Sequence, residues 1–287
     1  MGYILTALGA IGWGISGVCG QYLFTNYNFA SATLTTIRMI ASGILLIGLS
    51  KIQGNNVTSI FKSKKDIGWL FLFSVFGLLL CQYTYLAAIE HSNSSTATVL
   101  QALNVILMAI VIALWSKKML KLNQIISIVL AILGTFLLVT HGNVHTLNVS
   151  QLGLFYGLLS ALAVVSYTLL SRPIISKYGN TTITGWGMLI GGIFFFVLSK
   201  QWQASVYLDL KVILLLAIII VVGTAAGFSL YLKGVSMIGP QKATIVGCLE
   251  PVSATVLSVC LLGTSFQFLD FVGFVMILST VYICTKE

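Results

Sequence analysis

Charged side chains are scarce in this sequence. Asp, Glu, Lys and Arg together make up 7% of the 287 residues, against about 25% in an ordinary soluble domain. A soluble globular domain is therefore excluded. The usual hardware of catalysis is missing too: there is no phosphate loop, no metal-ligand cluster and no soluble catalytic domain. Direct ATP drive by this chain, a cofactor site and a metal site drop out with them. The five cysteines, Cys19, Cys81, Cys248, Cys260 and Cys284, lie in apolar runs without metal-type spacing, and read as small core residues. The first apolar run has neither a basic start nor a clear small-residue cleavage site, so it reads as a spanning helix rather than a cleavable signal. The net charge of +9 is not gathered into a basic helix or an aromatic-interleaved patch, which argues against a nucleic-acid partner.

Hydrophobic residues make up 58% of the chain, in runs of about the length that spans a bilayer as a helix. These runs are continuous rather than alternating, which excludes barrel strands. Ten runs are expected as transmembrane helices, at 3–24, 32–50, 67–89, 96–116, 123–140, 152–170, 182–199, 210–232, 243–262 and 267–284. With both termini cytoplasmic, the inner loops and tail carry Lys51, Lys62, Lys64, Lys65, Lys117, Lys118, Lys121, Arg172, Lys177, Lys233, Lys242 and Lys286. The outer loops carry only Lys200 and Lys211. Basic residues favour the cytoplasmic side, so this orientation is the expected one. The lipid bilayer is then an obligate partner of a multi-pass protein of the cytoplasmic membrane.

The polar segment 141–151 reads as an external linker between a first unit, 1–140, and a second, 152–287. Five helices on each side mean that the halves insert with opposite orientation, the arrangement of inverted repeats. A shift of 146 residues lays 85–136 on 231–282 without a gap, pairing Tyr85 with Tyr231, Ala97 with Ala243 and Leu103 with Leu249. One helical stripe reads Ala243, Gly247, Glu250, Ala254, Ser258; its counterpart reads Ala97, Gln101, Asn104, Met108, Ile112. Spacings of three and four residues put each set on one helix face. The fold expected is an all-α integral membrane protein of two inverted five-helix repeats. The GxxxG spacings at Gly153/Gly157, Gly187/Gly191 and Gly223/Gly227 fit close helix packing, or small residues beside a cavity.

Polar residues that sit where lipid would penalise them are the candidates for function. Glu250 and Pro251 stand side by side in the stretch 242–254, which is expected to hold the only intramembrane proline. A charge at mid-bilayer costs at least ~2.5 kcal/mol on insertion scales, and proline removes a backbone donor that lipid cannot replace. The helix therefore faces a polar interior. Glu250 is read either as a proton site or counter-charge to a cationic substrate, or as a neutral acid bonded to a neighbouring helix. Arg38, about seven residues from the outer end of the second run, either binds a substrate carboxylate, reaches for the interface, or pairs with a structural carbonyl. Together Glu250, Pro251 and Arg38 form the coupling or gating set. Gln82, Gln101 and Asn104 are buried amides that must be bonded, by lining a cavity or by tying helices together. Trp13 is mid-helix, where an interfacial belt does not explain it; Tyr167 and Trp186 are intermediate cases. All three join the substrate-binding set, because exposed ring faces close on cations. Tyr85, Tyr231 and Trp69 read as belt residues near helix ends.

At these residues the chain resembles the EamA-type family of the drug/metabolite transporter superfamily, over nearly its whole length. The segment 243–252, with Trp13-Gly14, Arg38 and the Ser166-Tyr167 region, carries the resemblance. The resemblance implies ten helices, a central cavity and secondary transport of an amino acid, amine or drug-like compound by alternating access. It also implies export, and leaves room for proton coupling and for a monomer or homodimer. Departures from the family pattern are Val105 where a proline is frequent, and Lys117-Lys118 and Gly263-Thr264 where Gly-Glu pairs are frequent. Two rival classes remain. One is a passive channel or facilitator. The other is an intramembrane serine protease, suggested by Gly14-Ile15-Ser16-Gly17, although His91, His141 and His145 all fall in outer loops. The favoured reading is not an enzyme.

Overall fold

The computed structural model describes residues 1–117, 122–140, 149–238, 243, 246, 247 and 249–285. Among them there is no strand. Seven helices are long and apolar enough to cross a membrane: Gly2–Tyr27, Ser31–Ile52, Lys64–Glu90, Ser94–Trp115, Gln151–Tyr178, Asn180–Leu198 and Leu210–Val235. Shorter apolar helices run over Ile125–Leu137, Leu249–Leu262 and Phe268–Thr280. Large apolar side chains such as Phe76, Trp115, Ile132, Phe155, Leu214, Val256 and Val275 point outward. An apolar exterior on this scale suits lipid rather than water.

The helices are labelled α1 (Gly2–Tyr27), α2 (Ser31–Ile52), α3 (Lys64–Leu72), α4 (Leu80–Glu90), α5 (Ser94–Ala102), α6 (Asn104–Ser116), α7 (Leu122–Thr140), α8 (Gln151–Tyr178), α9 (Asn180–Leu198), α10 (Leu210–Ala217), α11 (Gly227–Ile238), α12 (Leu249–Leu262) and α13 (Phe268–Thr285). Their starts are written in the sequence as side-chain caps. Ser63, Asn93, Ser150 and Asp209 each accept the backbone N–H three residues on, satisfying donors that the first turn leaves open. α1 stops at Asn28, whose left-handed backbone (φ 49°) returns its N–H to the carbonyl of Leu23.

Two membrane-length helices loosen midway into π-helix, at Phe73–Leu79 between α3 and α4 and at Ile218–Ala226 between α10 and α11. The offset of 146 residues seen in the sequence lays the first segment within the second. The carbonyl of Phe76 takes a hydrogen bond from Ser166 Oγ at 2.8 Å, so α8 supplies a partner to the π segment. Gly77 and Gly223, again 146 apart, receive Tyr167 of α8 and Ser16 of α1 respectively. Packing follows the same exchange. α1 lies along α11 and α12, α8 lies along α4 and α5, α2 pairs with α9, and α7 pairs with α13.

Several expectations need correction. The sixth run does not end near 170: α8 continues to Tyr178, so Pro173 also lies inside a helix and Pro251 is not the only proline in one. Arg172 and Lys177, expected in an inner loop, are helical for the same reason. The run 96–116 is interrupted at Leu103. Asn104 Nδ2 donates to the carbonyl of Gln101 at 2.7 Å, competing with the helix ladder as a short amide can. Cys260 is exposed rather than in the core. The linker residues 141–148, with His141 and His145, lie outside the described residues, as do Lys118, Lys121, Lys242 and Cys248.

Candidate functional site

Where α1, α2, α4, α5, α6, α8, α11 and α12 converge they leave a cavity of about 490 Å³, within the range of small-ligand sites. Its walls carry Trp13, Arg38, Gln82, Gln101, Asn104, Tyr167, Glu250 and Pro251. Eight of the nine residues singled out in the sequence therefore meet in one place. The ninth, Trp186, does not line it. Its Nε1 donates to the carbonyl of Val57 at 2.7 Å, and Phe61 stands edge-on to its ring at 4.8 Å, so it fastens a loop to α9.

Glu250 reaches the cavity because α1 and α12 meet backbone to backbone. A Cβ on Gly14 would lie 2.9 Å from the Glu250 carbonyl and 3.0 Å from the Ala254 nitrogen. The small-residue stripe makes this contact, with Ala243, Ala254 and Ser258 fully buried. On the other stripe Ala97 is fully buried and Asn104 and Met108 line the cavity; the side chain of Ile112 lies outside the described residues. Pro251 is buried beside Glu250, and Ser253 Oγ donates to the Glu250 carbonyl at 2.9 Å.

Arg38 does not reach for the interface. It is 4% exposed, and its Nε donates to Thr224 Oγ1 at 2.9 Å. Thr224 in turn donates to the Ile219 carbonyl at 2.9 Å, five residues back in the π segment. Loosening of that helix thus creates the hydroxyl on which the arginine rests. Among the described residues Arg38 Nη1 has no hydrogen-bond partner, and neither do Trp13 Nε1, Ser16 Oγ and Tyr85 Oη. Each such buried group costs roughly 1–3 kcal/mol. No direct ion pair joins Arg38 to Glu250 among the described residues, although each lies within reach of the other's charge.

Sequence reasoning missed Tyr85 and Tyr231, read as belt residues, and Phe228. All three line the cavity. Trp13 packs on Phe228 and Tyr231 at ring distances of 5.2 and 4.7 Å. The available signal was the pairing of Tyr85 with Tyr231 at the repeat offset. Ser16, serine of the GxSG pattern, faces Gly223, while His91 stacks on Tyr156 at 5.8 Å; the two are not brought together.

Beyond the cavity, about two turns along α1 and α12 from Trp13 and Glu250, three helices are tied together. Gln21 Oε1 accepts from both the backbone N and Oγ of Ser94 at 2.9 Å, and Ser94 Oγ bonds Ser258 Oγ at 2.8 Å. Gln21 Nε2 reaches Thr264 Oγ1 at 3.5 Å. α1, α5 and α12 are laced together by this clasp.

The profile of the EamA-like transporter family matches residues 1–140 and 151–285. The chain belongs to this family. Among its relatives is an uncharacterized inner membrane transporter, YicL, of Salmonella typhimurium, 39% identical over the whole of this chain and 95% of that protein. An uncharacterized transporter of Clostridium kluyveri is 23% identical over 96% of this chain and 90% of its own. A solved crystal structure superposes on 98% of this chain and 95% of its own with a TM-score of 0.69, at 13% identity, and shows the fold alone. This EamA-like protein is a multi-pass membrane transporter of the drug/metabolite superfamily, for which a small-molecule substrate follows.

Proposed function

We propose that the protein is a secondary transporter moving a small amphipathic metabolite across the cell membrane by alternating access, with export as its direction. An amino acid, an amine or a drug-like compound fits the chemistry. The carrying observation is the composition of the cavity wall. Asn104 and Glu250, and Tyr85 and Tyr231, are pairs 146 residues apart that face the same space. That placement supports ten helices in two inverted five-helix repeats, 1–140 and 152–287. The matched π segments and the exchanged packing of α1 with α11 and α8 with α4 support it further. Midplane binding between inverted repeats is the geometry on which one repeat rocks against the other. The lysine distribution supports cytoplasmic termini, which puts the Gln21 clasp on the outer side and makes this the inward-facing state. A passive channel fits less well, since the clasp ties three helices together beyond one end of the cavity. Export rests on family resemblance.

Glu250, in this reading, carries a proton or balances a cationic substrate. The test is counterflow in proteoliposomes, with and without an imposed pH gradient. Glu250→Gln keeps shape and hydrogen bonding but removes the charge, so it is expected to fold, to retain exchange of neutral substrates and to lose gradient-driven accumulation. Undiminished gradient-driven transport by the variant would make Glu250 a structural residue.

A further inference from the structure

Three unsatisfied donors, Trp13 Nε1, Arg38 Nη1 and Tyr85 Oη, belong to residues that line one cavity. Arg38 and Tyr85 are 4% and 6% exposed, and each lies within electrostatic reach of the other. Tyr85 Oη sits over α1, where a Cβ on Gly17 would come within 2.8 Å of it. Trp13 Nε1 sits over α11, where a Cβ on Gly227 would come within 3.0 Å. The absence of a Cβ at each glycine is what lets these donors sit where they do. Thr224 occupies Arg38 Nε, and on the outer edge of the guanidinium Nη1 is left without a partner among the described residues. The planar fork of that edge matches the two oxygens of a carboxylate.

From this we infer that the end of the cavity bounded by Trp13, Arg38 and Tyr85 is a subsite for a substrate's carboxylate group. Among the described residues this buried guanidinium has no direct ion-pair partner, a costly arrangement, and a substrate carboxylate would supply one. Glu250 lies within reach of the charge of this guanidinium. A monoanion is therefore favoured over a dianion. The rings of Trp13, Phe228 and Tyr231 form the adjoining wall, so the rest of the ligand is apolar or aromatic. The substrate class is a monocarboxylate with an apolar body.

The subsite gives a substrate class to the cavity of the proposed transporter and rests on that reading only for its purpose; its test is binding in detergent, which needs no transport. Thermal unfolding of the purified full chain is followed with millimolar 3-phenylpropionate, 3-phenylpropionamide and 3-phenylpropylamine. Only the acid is expected to raise the melting temperature, as a ligand of the folded state does. Arg38→Gln is expected to weaken its binding roughly ten- to a hundredfold, the usual weight of a bond to a charged group. Tyr85→Phe and Trp13→Phe, which keep their rings, are expected to weaken it roughly two- to tenfold each. They keep the test decisive if Arg38→Gln fails to fold. Equal stabilisation by the amide, preference for the amine, no effect of the acid on wild type, or acid binding unchanged in the ring-preserving variants would each overturn the subsite. Binding of the acid without its exchange in liposomes would leave the subsite standing and remove the transport reading.

Discussion

Gly14→Ala adds one methyl group at a backbone-to-backbone contact between α1 and α12. The new carbon would meet Ser253 Oγ and would sit 2.9 Å from the Glu250 carbonyl oxygen and 3.0 Å from the Ala254 nitrogen. Ordinary contacts for such a carbon begin near 3.4 Å, so the shortfall against backbone is roughly 0.5 Å. The serine can rotate away at the loss of its 2.9 Å bond to Glu250, but the two backbone atoms cannot move without shifting the helix. Overpacking of this kind costs about 1–3 kcal/mol. Against it stands the gain from replacing glycine in a helix, about 0.5–1 kcal/mol. Gly48 and Gly68 lie on helices with nothing within 4 Å of an added carbon, so alanine there keeps the gain and avoids the strain. Thermal or denaturant unfolding of the three purified variants isolates the packing penalty as the difference between Gly14→Ala and the two controls. Because the displaced atoms belong to Glu250 and its neighbour, proteoliposome exchange should fall in Gly14→Ala even at temperatures where it remains folded. A Gly14→Ala protein as stable as the controls, with normal exchange, would mean that α1 and α12 do not meet as described.

Gln21→Ala removes the acceptor that holds Ser94, and should raise the reactivity of a cysteine placed at Thr98 towards an impermeant thiol reagent added from the clasp side, in a background without native cysteines. Unchanged reactivity would remove the clasp as a closure. Asn104→Leu breaks the bond to the Gln101 carbonyl and should cost about 0.5–1.5 kcal/mol while abolishing exchange; a melting temperature shift without loss of exchange would reduce Asn104 to a helix-breaking residue. Trp186→Phe loses its bond to Val57 and should lower stability by a similar ~0.5–1.5 kcal/mol with substrate binding unchanged; weakened binding would bring Trp186 back into the site.

Much of this was legible along the chain. The scarcity of charge and the lengths of the apolar runs decide the class of protein, because lipid admits only backbone that is paired within itself. Helical periodicity decides which residues share a face, so Glu250 falls on the side of Ala254 and Ser258, and Asn104 on the side of Gln101. Caps at Ser63, Asn93, Ser150 and Asp209 follow from local hydrogen bonding alone.

Which face turns inward is a different matter. A helix apolar on every side carries no rotational signal, and its setting is fixed by the backbones that can approach it. Tyr85 and Tyr231 looked like interfacial residues from their distance to the helix ends, yet Gly17 and Gly247 make room for them inside. Arg38 is held inward by a threonine 186 residues away, on a helix whose π turn no local pattern announces. Trp186 has the composition of a site residue, but a loop carbonyl at Val57 claims its only donor. The sequence determined that the chain crosses a membrane as apolar helices, which residues share a helix face and which polar residues lipid would not tolerate, since those depend on solvent and on local periodicity. Only the tertiary structure decided which of those residues share a cavity, since that depends on close contacts between helices far apart in the chain.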